Sequence, residues 1–96
     1  MSRPSSVLVV EDSPLQGTVL QRMLTSRAYF ARCAQSGKIA LEMLAQARPD
    51  VVVSDVKMPE MDGYELCRRI KTDPAYASIP VILLTTMGGL TTSCWA

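Results

Sequence analysis

The chain has 96 residues, of which 48% are hydrophobic and 20% charged, the composition of one small folded domain and not of a disordered segment. Ten Lys and Arg are scattered against nine Asp and Glu, for a formal charge of +1, so no basic patch supports nucleic-acid binding and there is no polybasic or acidic run. Histidine is absent, which removes His-based triads and His metal ligands and leaves carboxylates as the natural chemistry.

Met1 to Ser6 lead into only four apolar residues before Glu11-Asp12, too few for a signal peptide or a membrane span. A cytoplasmic protein with no membrane segment is the expectation. Cys33, Cys67 and Cys94 are widely spaced and include no Cys-x-x-Cys pair, so neither a disulfide framework nor a zinc site is expected.

In chain order, apolar runs alternate with helical patterns. Val7 to Val10 read as a short buried strand ending in Glu11-Asp12. Ser13-Pro14 start a helix in which Leu15, Val19, Leu20, Met23 and Leu24 recur at helical spacing to about Arg27. Tyr29 to Cys33 form a weaker strand at a sheet edge. Ser36-Gly37 open a second helix with Ile39, Ala40, Met43, Leu44 and Ala47 as its apolar face, ended by Arg48-Pro49-Asp50. Val51-Val52-Val53 make a strand buried on both faces that carries Asp55 at its end. Met58-Pro59 impose an extended loop, and Asp62-Gly63 supply a turn and a cap for a third helix from about Tyr64 to Lys71, with Leu66 and Ile70 inward. Val81 to Leu84 are a fourth strand, ending in Thr85-Thr86. The sum is β-α-β-α-β-α-β, a doubly wound parallel sheet with helices on both faces.

Such a sheet brings Glu11, Asp12, Asp55 and Thr85 to one rim, past the C-terminal ends of three strands. Carboxylates gathered there repel one another unless a cation lies among them. Oxygen ligands without His or Cys suit Mg²⁺, and Mg²⁺ beside a carboxylate nucleophile suits phosphoryl transfer.

Glu11-Asp12, the run from Asp55 to Pro59, Met61-Asp62-Gly63 and the run from Pro80 to Thr85 resemble the receiver domain of bacterial two-component response regulators, the CheY-like fold, over roughly residues 5 to 86. The resemblance implies that Asp55 accepts a phosphoryl group from a histidine kinase, a phosphotransfer protein or a small phosphodonor. It implies that Glu11, Asp12, Asp55 and the main-chain carbonyl of Lys57 hold Mg²⁺. Thr85 is then the hydroxyl that moves onto the phosphoryl oxygens, with Thr86 adjacent, and Lys57 lies where the family tunes dephosphorylation. The domain is a signalling switch whose only chemistry is on itself.

The sequence departs from that family at its end. A receiver carries a fifth strand bearing a lysine, an aromatic switch residue and a last helix, whereas the last lysine here is Lys71. The expectation is therefore a C-terminally incomplete receiver of marginal stability, with the edge of the strand from Val81 to Leu84 open to dimerisation, domain swapping or aggregation. Residues 87–96 read as an irregular tail. One set of codons for Leu90 to Ala96, regrouped by one base, gives Asp-Asp-Val-Leu-Leu-Gly, a helix opening, so a shifted frame is one reading of the tail beside a natural or designed truncation.

Two other classes stay in view. A haloacid-dehalogenase-type phosphatase also uses a strand-end Asp with Mg²⁺, but it places an acid two residues later, where this chain has Lys57, and an ammonium is a poor substitute for a carboxylic acid near neutral pH. An incomplete fragment that neither transfers nor switches is the third.

Overall fold

The computed structural model describes residues 5–84 and the strand Thr91–Cys94. Five strands and three helices follow in the order β1 (Ser6–Val10), α1 (Pro14–Ser26), β2 (Phe30–Ala34), α2 (Gly37–Gln46), β3 (Val51–Asp55), α3 (Gly63–Thr72), β4 (Val81–Leu84) and β5 (Thr91–Cys94). The sheet order is β2-β1-β3-β4-β5. β1 to β4 are mutually parallel, as the alternating pattern requires, with β2 at one edge.

The other edge differs from expectation. β5 runs antiparallel to β4, with Val81 opposite Cys94 and Leu84 opposite Thr91. The edge of β4 is thus paired within the chain, and four residues of the tail read as irregular are a strand. An unpaired row of amide and carbonyl groups on an apolar strand takes up whatever extended segment can reach it, and Thr91-Thr92 have the β-branching to supply one.

Each helix begins where a side chain satisfies its free amides. Ser13, Ser36 and Asp62 are the N-caps, accepting from the backbone N–H of Gln16, Ile39 and Glu65 at 3.4, 3.1 and 2.8 Å. Side-chain alternation along the strands then divides the core. Leu8, Val10, Val52, Val81 and Leu83 face α2 and α3, where Ala40, Leu44, Leu66, Cys67 and Ile70 close a fully buried cluster.

The opposite face is thinner. α1 packs over β1 and β2, while Val51, Val53, Ile82 and Leu84 are only half-buried, so the strand carrying Asp55 is deeply buried on one face alone. The ridge that α1 turns inward also differs from the one expected. Gly17 is its buried residue, flanked by half-buried Leu20, Gln21 and Leu24, whereas Leu15, Val19 and Met23 are 75%, 49% and 55% exposed. The Gln21 side chain donates to the Ala31 carbonyl of β2 at 2.9 Å, which fixes this rotation of the helix. Ile39 on α2, and Ala47 just past its end, likewise lie outside the buried face. Cys67 is disulfide-bonded, against the expectation from spacing, which is blind to cysteines that folding brings together; Cys33 is free.

Candidate functional site: an acidic rim at the strand ends

The register sets the site. Val10 lies opposite Ser54, so the next residues along β1 and β3, Glu11 and Asp55, are neighbours at the C-terminal rim. The backbone N–H of Glu11 donates to the Ala34 carbonyl at 2.9 Å, which anchors the start of this turn to β2. Asp12 follows and points to solvent. Carboxylate oxygens of Glu11, Asp12 and Asp55 all lie within 4.8 Å of one another. Glu11 and Asp55 are 3% and 9% exposed, and Asp12 is open.

Burial and crowding act on Glu11 most. Desolvation, a hydrogen bond with the Asp55 carboxyl and the Asp55 charge raise its carboxyl from an ordinary 4.5 to about 7, with the Asp12 charge adding to them and a backbone hydrogen bond from Ser13 opposing them. Burial, and then the Glu11 charge, also push the thiol of Cys33 up.

Asp55 is held from its own strand end. Its Oδ1 accepts from the Val56 N–H at 2.9 Å, and Val56 is placed by its backbone, which accepts from the N–H of Gly63 at 2.8 Å. The Ser54 hydroxyl donates to the Asp55 carbonyl at 2.9 Å. Gly63 is where the loop closes: a Cβ there would strike the carbonyl oxygen of Asp55 and come within 3.0 Å of Val56 Cα. Sequence reading took Asp62-Gly63 as a turn and cap, and the cap is present. The close approach of Gly63 to Asp55, and the supporting bonds from Ser54 and Val56, were not read, although the dipeptide was the signal for the first of them.

The remaining site residues divide. Lys57 is exposed in the loop two residues past Asp55. Thr85 lies outside the described residues, and the structure places only its predecessor, Leu84, opposite Asp55. A groove of about 970 Å³ between α2 and α3, lined in part by Leu41, Pro59 and Met61, contains none of the three carboxylates.

Three clustered carboxylates with no imidazole or thiolate ligand at the strand ends could hold a hard divalent cation, whose charge would offset the Asp55 and Asp12 charges that add to burial in raising Glu11. Comparison with known proteins identifies the arrangement. Residues 7–93 match the model of the response regulator receiver domain. The chain belongs to that family. It is 41% identical over 83 residues to the response regulator PleD of Caulobacter vibrioides, an alignment spanning 86% of this chain and 18% of that protein. With histidine kinase P4 of Formosa agariphila it shares 45% over 87 residues, 90% of this chain and 6% of the relative. The N-terminal domain of a response regulator receiver protein from Methanoculleus marisnigri superposes with a TM-score of 0.82 at 46% identity, covering 84% of this chain and 66% of that one. The chain thus spans a small fraction of the curated relatives it matches. Its role is the family's, a phosphoacceptor switch in two-component signalling, and receiver domains interact with histidine kinases or phosphotransfer proteins. Among the described residues no helix is long and apolar enough to cross a membrane.

Proposed function

We propose that Asp55 is the phosphoacceptor of this receiver, with Glu11, Asp12, Asp55 and the Lys57 carbonyl holding Mg²⁺. The observation that carries this is the convergence of three carboxylates within 4.8 Å at the C-terminal ends of β1 and β3. The bound ion supplies charge neutralisation for an incoming anionic phosphoryl group.

The chain's own groups do the rest. The hydrogen bond from Val56 fixes the plane of the Asp55 carboxylate, and the deep burial of the strand behind it limits its motion. One carboxylate oxygen attacks phosphorus in line, the new O–P bond forms as the P–N bond of a phosphohistidine or phosphoramidate breaks, and the leaving nitrogen takes a proton from solvent. Chemistry then ends on the protein itself, and with Lys57 in place of a second acid the chain does not turn over external phosphoesters. Exposed Lys57 faces the solvent from which the hydrolytic water comes and tunes the lifetime of the acyl phosphate, and Thr85 is the hydroxyl that reports it. The domain works in the cytoplasm, and its near-balanced charge of +1 offers nucleic acid no strong attraction. Self-association, by dimerisation or domain swapping, would involve the β5 edge that pairs β4 and not an open β4 edge.

The test is incubation with phosphoramidate and Mg²⁺, followed by intact-mass measurement. A base-labile phosphoryl adduct that is absent in Asp55→Asn supports the assignment. A chain that folds yet gains no adduct acts as the incomplete fragment, and release of phosphate from an added phosphoester points to the phosphatase class.

A further inference from the structure

Behind the acidic rim, α1, the end of β1 and β2 meet without a side chain from the helix. Gly17 is the buried residue of α1, and a Cβ on it would lie 2.7 Å from Cys33 Sγ, 3.8 Å from Glu11 Cβ and 4.0 Å from Glu11 Cγ. Cys33 is half-buried on β2, next to Ala34, whose carbonyl anchors the Glu11 N–H at 2.9 Å. The stem of Glu11 thus lies at contact distance from where a side chain at position 17 would begin, and the thiol of Cys33 occupies that space.

We infer that Gly17 and Cys33 act as one packing unit that positions the Glu11 carboxyl, and so sets the affinity of the rim for Mg²⁺. The inference rests on the metal-binding reading above. A methyl group at position 17 must displace the sulfur, which turns on a single torsion in a packed space, or push α1 off the sheet. Either movement is transmitted to the Glu11 stem, and Mg²⁺ tolerates little departure from its octahedral geometry.

Mg²⁺ titrations of the parent chain, Gly17→Ala, Cys33→Ala and the double variant test this, with metal-free thermal unfolding of each. Gly17→Ala is expected to weaken Mg²⁺ binding about tenfold, the scale of a lost support to a metal ligand. The double variant returns to within about twofold of the parent, because the atom struck has been removed. Ile70→Ala, which empties a fully buried site near the far end of α3, lowers the unfolding midpoint and leaves the affinity unchanged. Parent-like affinity in Gly17→Ala, or a double variant as weak as Gly17→Ala, overturns the inference. Should Gly17→Ala lose its cooperative transition, Cys33→Val presses on the same space from the strand side and is expected to show the same loss; unchanged affinity there overturns it equally. A parent chain that binds no Mg²⁺ instead contradicts the metal reading itself, a separate and distinguishable result.

Discussion

The carboxyl of Glu11, at the end of β1, lies within 4.8 Å of the carboxyl of Asp55, at the end of β3. Burial of Glu11 first, and then the neighbouring Asp55 carboxyl, favour the protonated form of Glu11. The proton and a divalent cation are thus competitors for one site.

Stability without metal follows from that competition. Glu11 titrates at about 7 in the folded chain against its ordinary 4.5, so the folded state binds more protons than the unfolded state between those values. The contribution is fully present below about pH 4.5 and is lost as the pH rises to about 7. Thermal midpoints without Mg²⁺ are expected to fall from about pH 5 to about pH 8, and Glu11→Gln is expected to flatten that slope.

Metal affinity has the opposite slope. Mg²⁺ must displace the Glu11 proton, so its apparent affinity is expected to fall about tenfold for each pH unit below about 7 and to level off above it. Titrations at about pH 6 and pH 8 check this. Asp55→Asn removes one of the repelling charges, and is expected to abolish phosphoryl uptake while raising the metal-free midpoint at neutral pH.

Gly63→Ala places a methyl group against the Asp55 carbonyl and Val56 Cα, backbone atoms that cannot step aside. A loss of about 1–3 kcal/mol is expected from this overpacking, with weaker Mg²⁺ binding, since the loop that would yield leads directly from the acceptor. Chemical denaturation and a metal titration read the two effects separately.

Helix packing gives a contrast between two leucines. Leu66→Ala empties a fully buried site under β4 and is expected to cost about 2–5 kcal/mol. Leu15→Ala, on a residue 75% exposed, is expected to stay within about 0.5 kcal/mol. Urea midpoints of the two variants measure the difference.

That contrast marks how far the sequence could be read. The four parallel strands and three helices were legible because apolar runs, caps and the Asp-Gly and Ser-Pro punctuation agree at every boundary. The rim carboxylates were legible for the same reason, since a strand end is a position in sequence as well as in space. The rotation of α1 was not: Leu15, Val19 and Met23 have the spacing of a core face, yet the helix turns Gly17 inward and Gln21 onto β2, choices set by tertiary contact alone. β5 escaped notice because antiparallel pairing of four residues has no periodic signature against the helix expected there. Gly63 carried a visible turn signal, but its contact with the Asp55 carbonyl is a matter of loop closure. Thr85 lies outside the described residues, and its role stays with the proposal.

The central claim is that the rim is assembled in this chain as a metal-dependent phosphoacceptor site. Thermal unfolding with and without Mg²⁺ plus beryllofluoride, which mimics a phosphoryl group on a carboxylate, tests it most directly, because a ligand that binds only the folded state raises the midpoint by mass action. A cooperative transition is expected that shifts upward with both components together and does not shift in Asp55→Asn. A cooperative transition that stays in place with both present would contradict it.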